Sequence, residues 1–259
     1  TLVLKERWKK SVKRSSGEIT WTLTVPAETE IEFATASGDI EATGLAKSIE
    51  ARTASGDIDV RNMKGEIEIS TASGDADLAD LEGDVDISTA SGDIDIENAT
   101  GEIELSTASG DITAEGVSGD IELNAASGDI EVSGSKGTFE VSCASGDIKA
   151  TGITIEGASE FSVASGDVQV VLAKTSEFDL ELSSASGDVA LDYDGNPVKG
   201  YFEFTANKRR GRIVCPFDFD HEEEFEQGDE KYVRKSFSMK GDTPEIRLST
   251  ASGTAALKK

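Results

Sequence analysis

The sequence predicts an all-β fold, a single-stranded parallel β-helix (a β-solenoid) of 18-residue coils, each made of two 9-residue units. Three observations predict it. The tetrapeptide Ala-Ser-Gly-Asp ends at Asp39, Asp57, Asp75, Asp93, Asp111, Asp129 and Asp147, an unbroken spacing of 18. Midway between lie Gly65, Gly83, Gly101, Gly119 and Gly137, so a glycine falls at every ninth residue from Gly56 to Gly146. After these glycines runs a short alternation such as Asp93-Ile94-Asp95-Ile96 or Glu102-Ile103-Glu104-Leu105, the period-2 pattern of a strand with one buried face. A unit this small cannot bury its apolar face alone, whereas stacked coils pair strand on strand. At about 4.8 Å per coil, roughly nine or ten coils make a rod on the order of 45 Å long. The rule for parallel connections makes it right-handed.

One domain is expected over 1–259. Residues 1–36, with Trp8 and Trp21, are its N-terminal cap and lead-in strands, because a bare end coil is an open sheet edge. Residues 37–190 are the regular repeat array. Its corners place Gly74 and Gly110 at φ > 0, with Ser and Asp beside them pairing backbone groups. Its inward columns are Ile or Val (Ile58, Ile94, Ile112, Ile130), a second aliphatic (Val60, Ile96, Leu105, Val132) and a small residue (Ala54, Ala72, Ala90, Ala108, Ala126, Ala144). The motif recurs at Asp167 and Asp188 with spacings of 20 and 21, near the first array phenylalanines (Phe139, Phe161, Phe178). The cross-section should therefore widen toward the C-terminus. Residues 191–259 are read as irregular, aromatic-rich C-terminal coils and a cap. The motif is silent for 66 residues between Gly187 and Gly253, and strand-like pieces (Tyr201–Phe204, Lys235–Met239) flank a polar loop.

The formal net charge is -26. Residues 37–190 hold 33 acids against 7 bases, and the flanks hold 18 of each, so the excess belongs to the array. Such a polyanion is repelled by nucleic acid and by anionic lipid, which excludes both as partners. No apolar run approaches the length of a membrane span, so direct membrane insertion is not expected. The chain starts at Thr1 rather than Met, which leaves room for a signal or anchor segment ahead of it. If the coils are in register, the acids from Asp39 to Asp147 stack about 5 Å apart, and repulsion should push carboxyl pKa values in that column upward.

The chemistry is sparse. Paired carboxylates serve glycoside cleavage on some β-solenoids, but Asp93/Asp95 and Glu102/Glu104 repeat as the geometry repeats. The array contains no His and no Tyr to break the pattern. His221, the only histidine, sits in Asp218-Phe219-Asp220-His221-Glu222-Glu223-Glu224. That run reads as a solvated acidic loop rather than a metal site. The calcium β-roll unit, G-G-x-G-x-D-x-U-x, needs glycine pairs, and here one glycine per unit is followed directly by the acid. Cys143 occupies a Thr/Ser column and Cys215 lies far from it, so neither forms a disulfide framework. No catalytic residue, cofactor or metal ligand is assigned. Recognition is expected where aromatics and the bases 208–212 break the pattern, with Tyr201, Phe217, Phe219, Arg209 and Arg210 as candidate partner contacts.

Recurrent (T/S)-A-S-G-D-(I/V) blocks, the lead-in Thr24-Val25-Pro26-Ala27 and the terminal Ile246-Arg247-Leu248-Ser249-Thr250-Ala251-Ser252-Gly253 carry a resemblance. From Val25 to Leu257 the chain resembles the bacterial adhesin β-strand-repeat family, a domain of unknown function. The resemblance implies a β-helical fold and an extracellular or cell-envelope location, sometimes with membrane-anchored partners in envelope-stress signalling. It supplies no catalytic residues. The expectation is a non-enzymatic cell-surface or secreted module that binds a protein or a glycan. An alternative is an envelope-stress sensor or scaffold docking a membrane partner, and a third is a carbohydrate-active enzyme on a β-helix.

Overall fold

The computed structural model describes residues 20–259, so Trp8 and the rest of 1–19 lie outside the described residues. Among the described residues there are 23 strands and no helix. They form a β-solenoid of about 18 residues per turn. On one face Ile31–Thr35, Ile49–Thr53, Ile67–Thr71 and Val85–Thr89 stack in parallel, with Ile49 on Ile67 and Ile67 on Val85. On the other Ile40–Thr43, Ile58–Lys64 and Ala76–Glu82 do the same. The alternation decides which side chains turn inward: Ile58, Val60, Ile67, Ile87, Ile94 and Ile112 are fully buried between the two faces. Each contributes roughly 1.5–3 kcal/mol relative to an exposed position. Their acidic neighbours point to water.

The corners differ from the expectation in two ways. Gly74 and Gly110 do not have positive φ. What excludes a side chain there is the coil beneath. A Cβ on Gly74 would lie 2.0 Å from the carbonyl oxygen of Gly56, and one on Gly110 2.0 Å from that of Gly92. The hydrogen in its place faces that carbonyl, a contact common between adjacent strands. At the opposite edge Gly83 meets both demands, with φ 137 and a Cβ that would sit 2.2 Å from the Gly65 oxygen.

The second difference is the small column. Ala54, Ala72, Ala90, Ala108, Ala126 and Ala144 are exposed; the inward small position belongs to Thr53, Thr71, Thr89, Thr107 and Cys143. At several rungs the reason is a polar one. From the inward side a hydroxyl can donate to a corner glycine carbonyl, as Thr107 does to Gly92 (3.3 Å) and Thr250 to Gly187 (2.9 Å), whereas the Thr71 and Thr89 hydroxyls have no partner among the described residues. Cys143 Sγ makes the same reach to Gly128 at 3.2 Å, and burial raises its thiol pKa. A methyl group could do neither.

The stacked aspartates form a ladder. Asp75 Oδ1 accepts the amide of Asp93 (2.9 Å), Asp93 that of Asp111 (2.8 Å) and Asp167 that of Asp188 (2.7 Å). In mid-strand, repulsion between stacked acids raises carboxyl pKa values. Glu104 is raised by Asp86 and Glu122, its neighbours in the rungs on either side. Asp77 is raised first by burial, then by Asp95 and Asp59.

The C-terminal region stacks out of chain order. The segment carrying Ala251-Ser252-Gly253 does not form the last coil. Glu245–Thr250 lies between Leu180–Ser186 and Gly200–Asn207, parallel to both. Gly253–Lys258 likewise lies between Val189–Asp192 and Gly211–Val214. The chain thus lays down the outermost rung first and fills the space beneath it last. Every repeat contact is reproduced across the gap in sequence: Asp188 Oδ1 accepts the Thr254 amide at 2.7 Å, and a Cβ on Gly253 would meet the Gly187 oxygen at 2.1 Å. Beyond the outermost rung, Glu230–Met239 pairs antiparallel with Gly200–Asn207, and His221–Gln227 pairs antiparallel with Glu230–Met239.

The interior widens as expected at Phe139 and Phe161, which are buried and stacked at 5.8 Å. Phe178 is not part of this, being 44% exposed in a loop. Tyr193, Phe202, Phe204 and Phe237 fill the far end. At the near end Trp21 is 58% exposed rather than packed into a cap, while Ile31 and Phe33 are half-buried at the first rung.

Candidate interaction groove

The outer surface of the first face is a set of columns. One is acidic and runs through Glu122, Glu140, Glu160 and Glu181. Beside it stand Ser106, Asn124, Ser142, Ser162, Ser183, Ser249 and Thr205, each opposite the next. A third holds the outward alanines Ala144, Ala164 and Ala185. Small side chains in two adjacent columns leave the sheet surface low, whereas the acid column stands higher.

At the C-terminal end this low strip meets the antiparallel hairpin. Gly228, with φ 62, turns the chain between its two strands. Phe225 and Tyr232 are directly opposite one another across them, their rings stacked at 5.7 Å. Arg234 pairs with Thr205 across the next strands, and its guanidinium lies 4.8 Å from the centre of the Phe225 ring. The strip and the hairpin together enclose an open groove of about 990 Å³, floored by Ser and Ala and walled by Phe225, Tyr232, Gln227 and Arg234.

The charges in the groove are paired. Arg234 lies 3.4 Å from Glu203 and 3.0 Å from Glu223. Arg247 stands in the acid column, 2.8 Å from Glu245 and 3.9 Å from Glu181. Arg234 Nε is buried with no hydrogen bond among the described residues. On the floor, Asn124 donates to Glu122 at 2.8 Å and accepts from Ser142.

The residues expected as partner contacts are not gathered together. Phe217 and Phe219 are half-buried over Phe237, at 5.5 and 6.1 Å between ring centres, and close the end of the core. Arg209 and Arg210 sit on an exposed turn whose amides donate to Asn207. Arg210 is bound to Glu230, and its neighbour Lys208 to Glu224, whose carboxyl pKa Lys208 lowers. Tyr201 is half-buried on the outermost rung. His221 is exposed opposite Ser236. Among the described residues, no group of three or more His, Cys, Asp or Glu side chains is placed to hold a metal. Sequence reasoning passed over Phe225, Tyr232, Arg234 and Arg247. The signal for the first three was the alternation on either side of Gly228-Asp229, which reads as a hairpin.

The family described as Toastrack DUF4097 has a model that matches residues 9–125 and again residues 100–211. No curated protein and no solved structure matches the chain.

Proposed function

Because the chain belongs to the Toastrack DUF4097 family, a domain of unknown function, we propose that it acts as a rigid, non-catalytic interaction module, displayed outside the cell or within the cell envelope. Its binding surface in this reading is the groove beneath the hairpin. One observation carries it: the groove is where an aromatic pair and two arginines interrupt the columns of hydrated acids. Hydrated carboxylates make poor adhesive faces, while aromatic and arginine side chains dominate interface energetics. The carboxylates there, Glu181 and Glu203, are paired with arginines, which fits a binding role better than general acid chemistry. The test is an array of glycans and surface proteins probed with the chain and with Ala185→Arg, which fills the floor. Loss of the bound spots is expected. Binding that survives Ala185→Arg unchanged would put the surface elsewhere.

A second reading, a scaffold that docks a membrane-anchored partner end-on, is favoured by Trp21 and Leu23, which are 58% and 37% exposed ahead of the first rung. In that case Trp21→Ala would abolish partner capture, and Ala185→Arg would not.

A further inference from the structure

We propose that the groove takes an uncharged linear glycan lying along the solenoid axis, an inference that rests on the groove being the binding surface. The floor supplies the argument. Ser162, Ser183, Ser249 and Thr205 stand on four successive rungs. None of the four hydroxyls has a side-chain hydrogen bond among the described residues, in contrast to Asn124 and Ser142 just below them. Rungs repeat about every 4.8 Å, close to the length of one sugar unit in an extended polysaccharide. Successive rings can therefore meet successive hydroxyls. The outward methyls of Ala164 and Ala185 run beside them and offer an apolar strip to ring faces.

The flanks narrow the class. Glu181 lines one side and Glu160 continues its column beyond the groove; a carboxylate accepts two hydroxyl donors, which suits vicinal diols, and the net charge of -26 rejects polyanionic chains. Tyr232 supplies a ring at the end wall on which a terminal sugar can stack. An extended peptide is disfavoured by the same geometry. Strand addition needs a free sheet edge, and this floor is a sheet face whose strands are paired on both sides. The repeat of an extended peptide also does not match the rungs.

The experiment titrates the full chain with cellohexaose, with the hexamer of N-acetylglucosamine and with hexagalacturonate, read by calorimetry. Saturable binding of at least one neutral hexamer is expected, with none of the uronate. Tyr232→Ala and Ser183→Val should each weaken it about tenfold, the scale of one lost stacking or hydroxyl contact. Ser70→Val, in the same column but outside the groove, should leave it unchanged. Melting curves of the variants confirm that they fold. Failure of both neutral hexamers, equal binding of the uronate, or identical affinities in all variants overturns the proposal. If both neutral hexamers fail while Tyr232→Ala abolishes binding to protein spots on the array, the ligand class falls and the groove stands. If Tyr232→Ala changes nothing on either half of the array, the groove itself falls.

Discussion

At the level of single residues, the repeat glycines are required by contact, and a pair of variants separates contact from dihedral preference. Gly110 has ordinary φ, but its Cβ would strike the Gly92 carbonyl at 2.0 Å; Gly44 has φ 74 and nothing within 4 Å. Gly110→Ala should lose about 1–3 kcal/mol through overpacking against backbone that cannot rotate away. Gly44→Ala should lose about 1 kcal/mol from left-handed strain alone. Denaturant midpoints check the order, and the reverse order would mean that the dihedral governs. Tyr193 points the other way. It is fully buried, its hydroxyl has no partner among the described residues, and burial raises its pKa. Tyr193→Phe removes an orphaned polar atom and should raise stability by about 1 kcal/mol. A loss would reveal a hidden partner.

Among the elements, the aspartate ladder ties rung to rung through side chains as well as strands. Asp93 Oδ1 accepts the Asp111 amide at 2.8 Å. Asp93→Asn keeps an acceptor and should be close to neutral, whereas Asp93→Ala orphans that amide and should cost about 1 kcal/mol. Equal losses in thermal melts would show that charge rather than hydrogen bonding matters. The rungs were legible because Ala-Ser-Gly-Asp repeats with its strand attached. Which of Thr and Ala faces inward in Ser106-Thr107-Ala108-Ser109 was not, since both are small and the deciding contact is with a carbonyl of the preceding corner. Nor was the stacking order legible: Ile246-Arg247-Leu248-Ser249-Thr250 specifies a rung but not which neighbours it receives. The groove was hidden for a related reason. Its floor and its aromatic wall are separated in sequence, and meet only through the antiparallel hairpin.

For the whole molecule, charge sets the pH response. Glu104 and Asp77 have carboxyl pKa values raised from ordinary values of 4.5 and 3.8. A raised folded pKa means that the native state holds the proton more tightly than the unfolded chain. Their contribution to stability is therefore full below those ordinary values and is lost as pH rises through the raised ones. Melting temperature should increase as pH falls from neutral through the raised values toward 4.5, the ordinary value for Glu104, and Glu104→Gln should raise it at neutral pH while gaining less in acid. A melting temperature that falls over this range would contradict the repulsion. The displaced C-terminal rung has a consequence in time. A ribosome delivers residues 245–258 well after the segment 200–214, yet that segment pairs with the rod only through them. Rungs up to Asp192 can settle one at a time as they emerge. The segment 200–214 must wait for residues 245–258, so a nascent chain cut short between the two stays unsealed, with its last completed rung open to proteases and to strands of other chains.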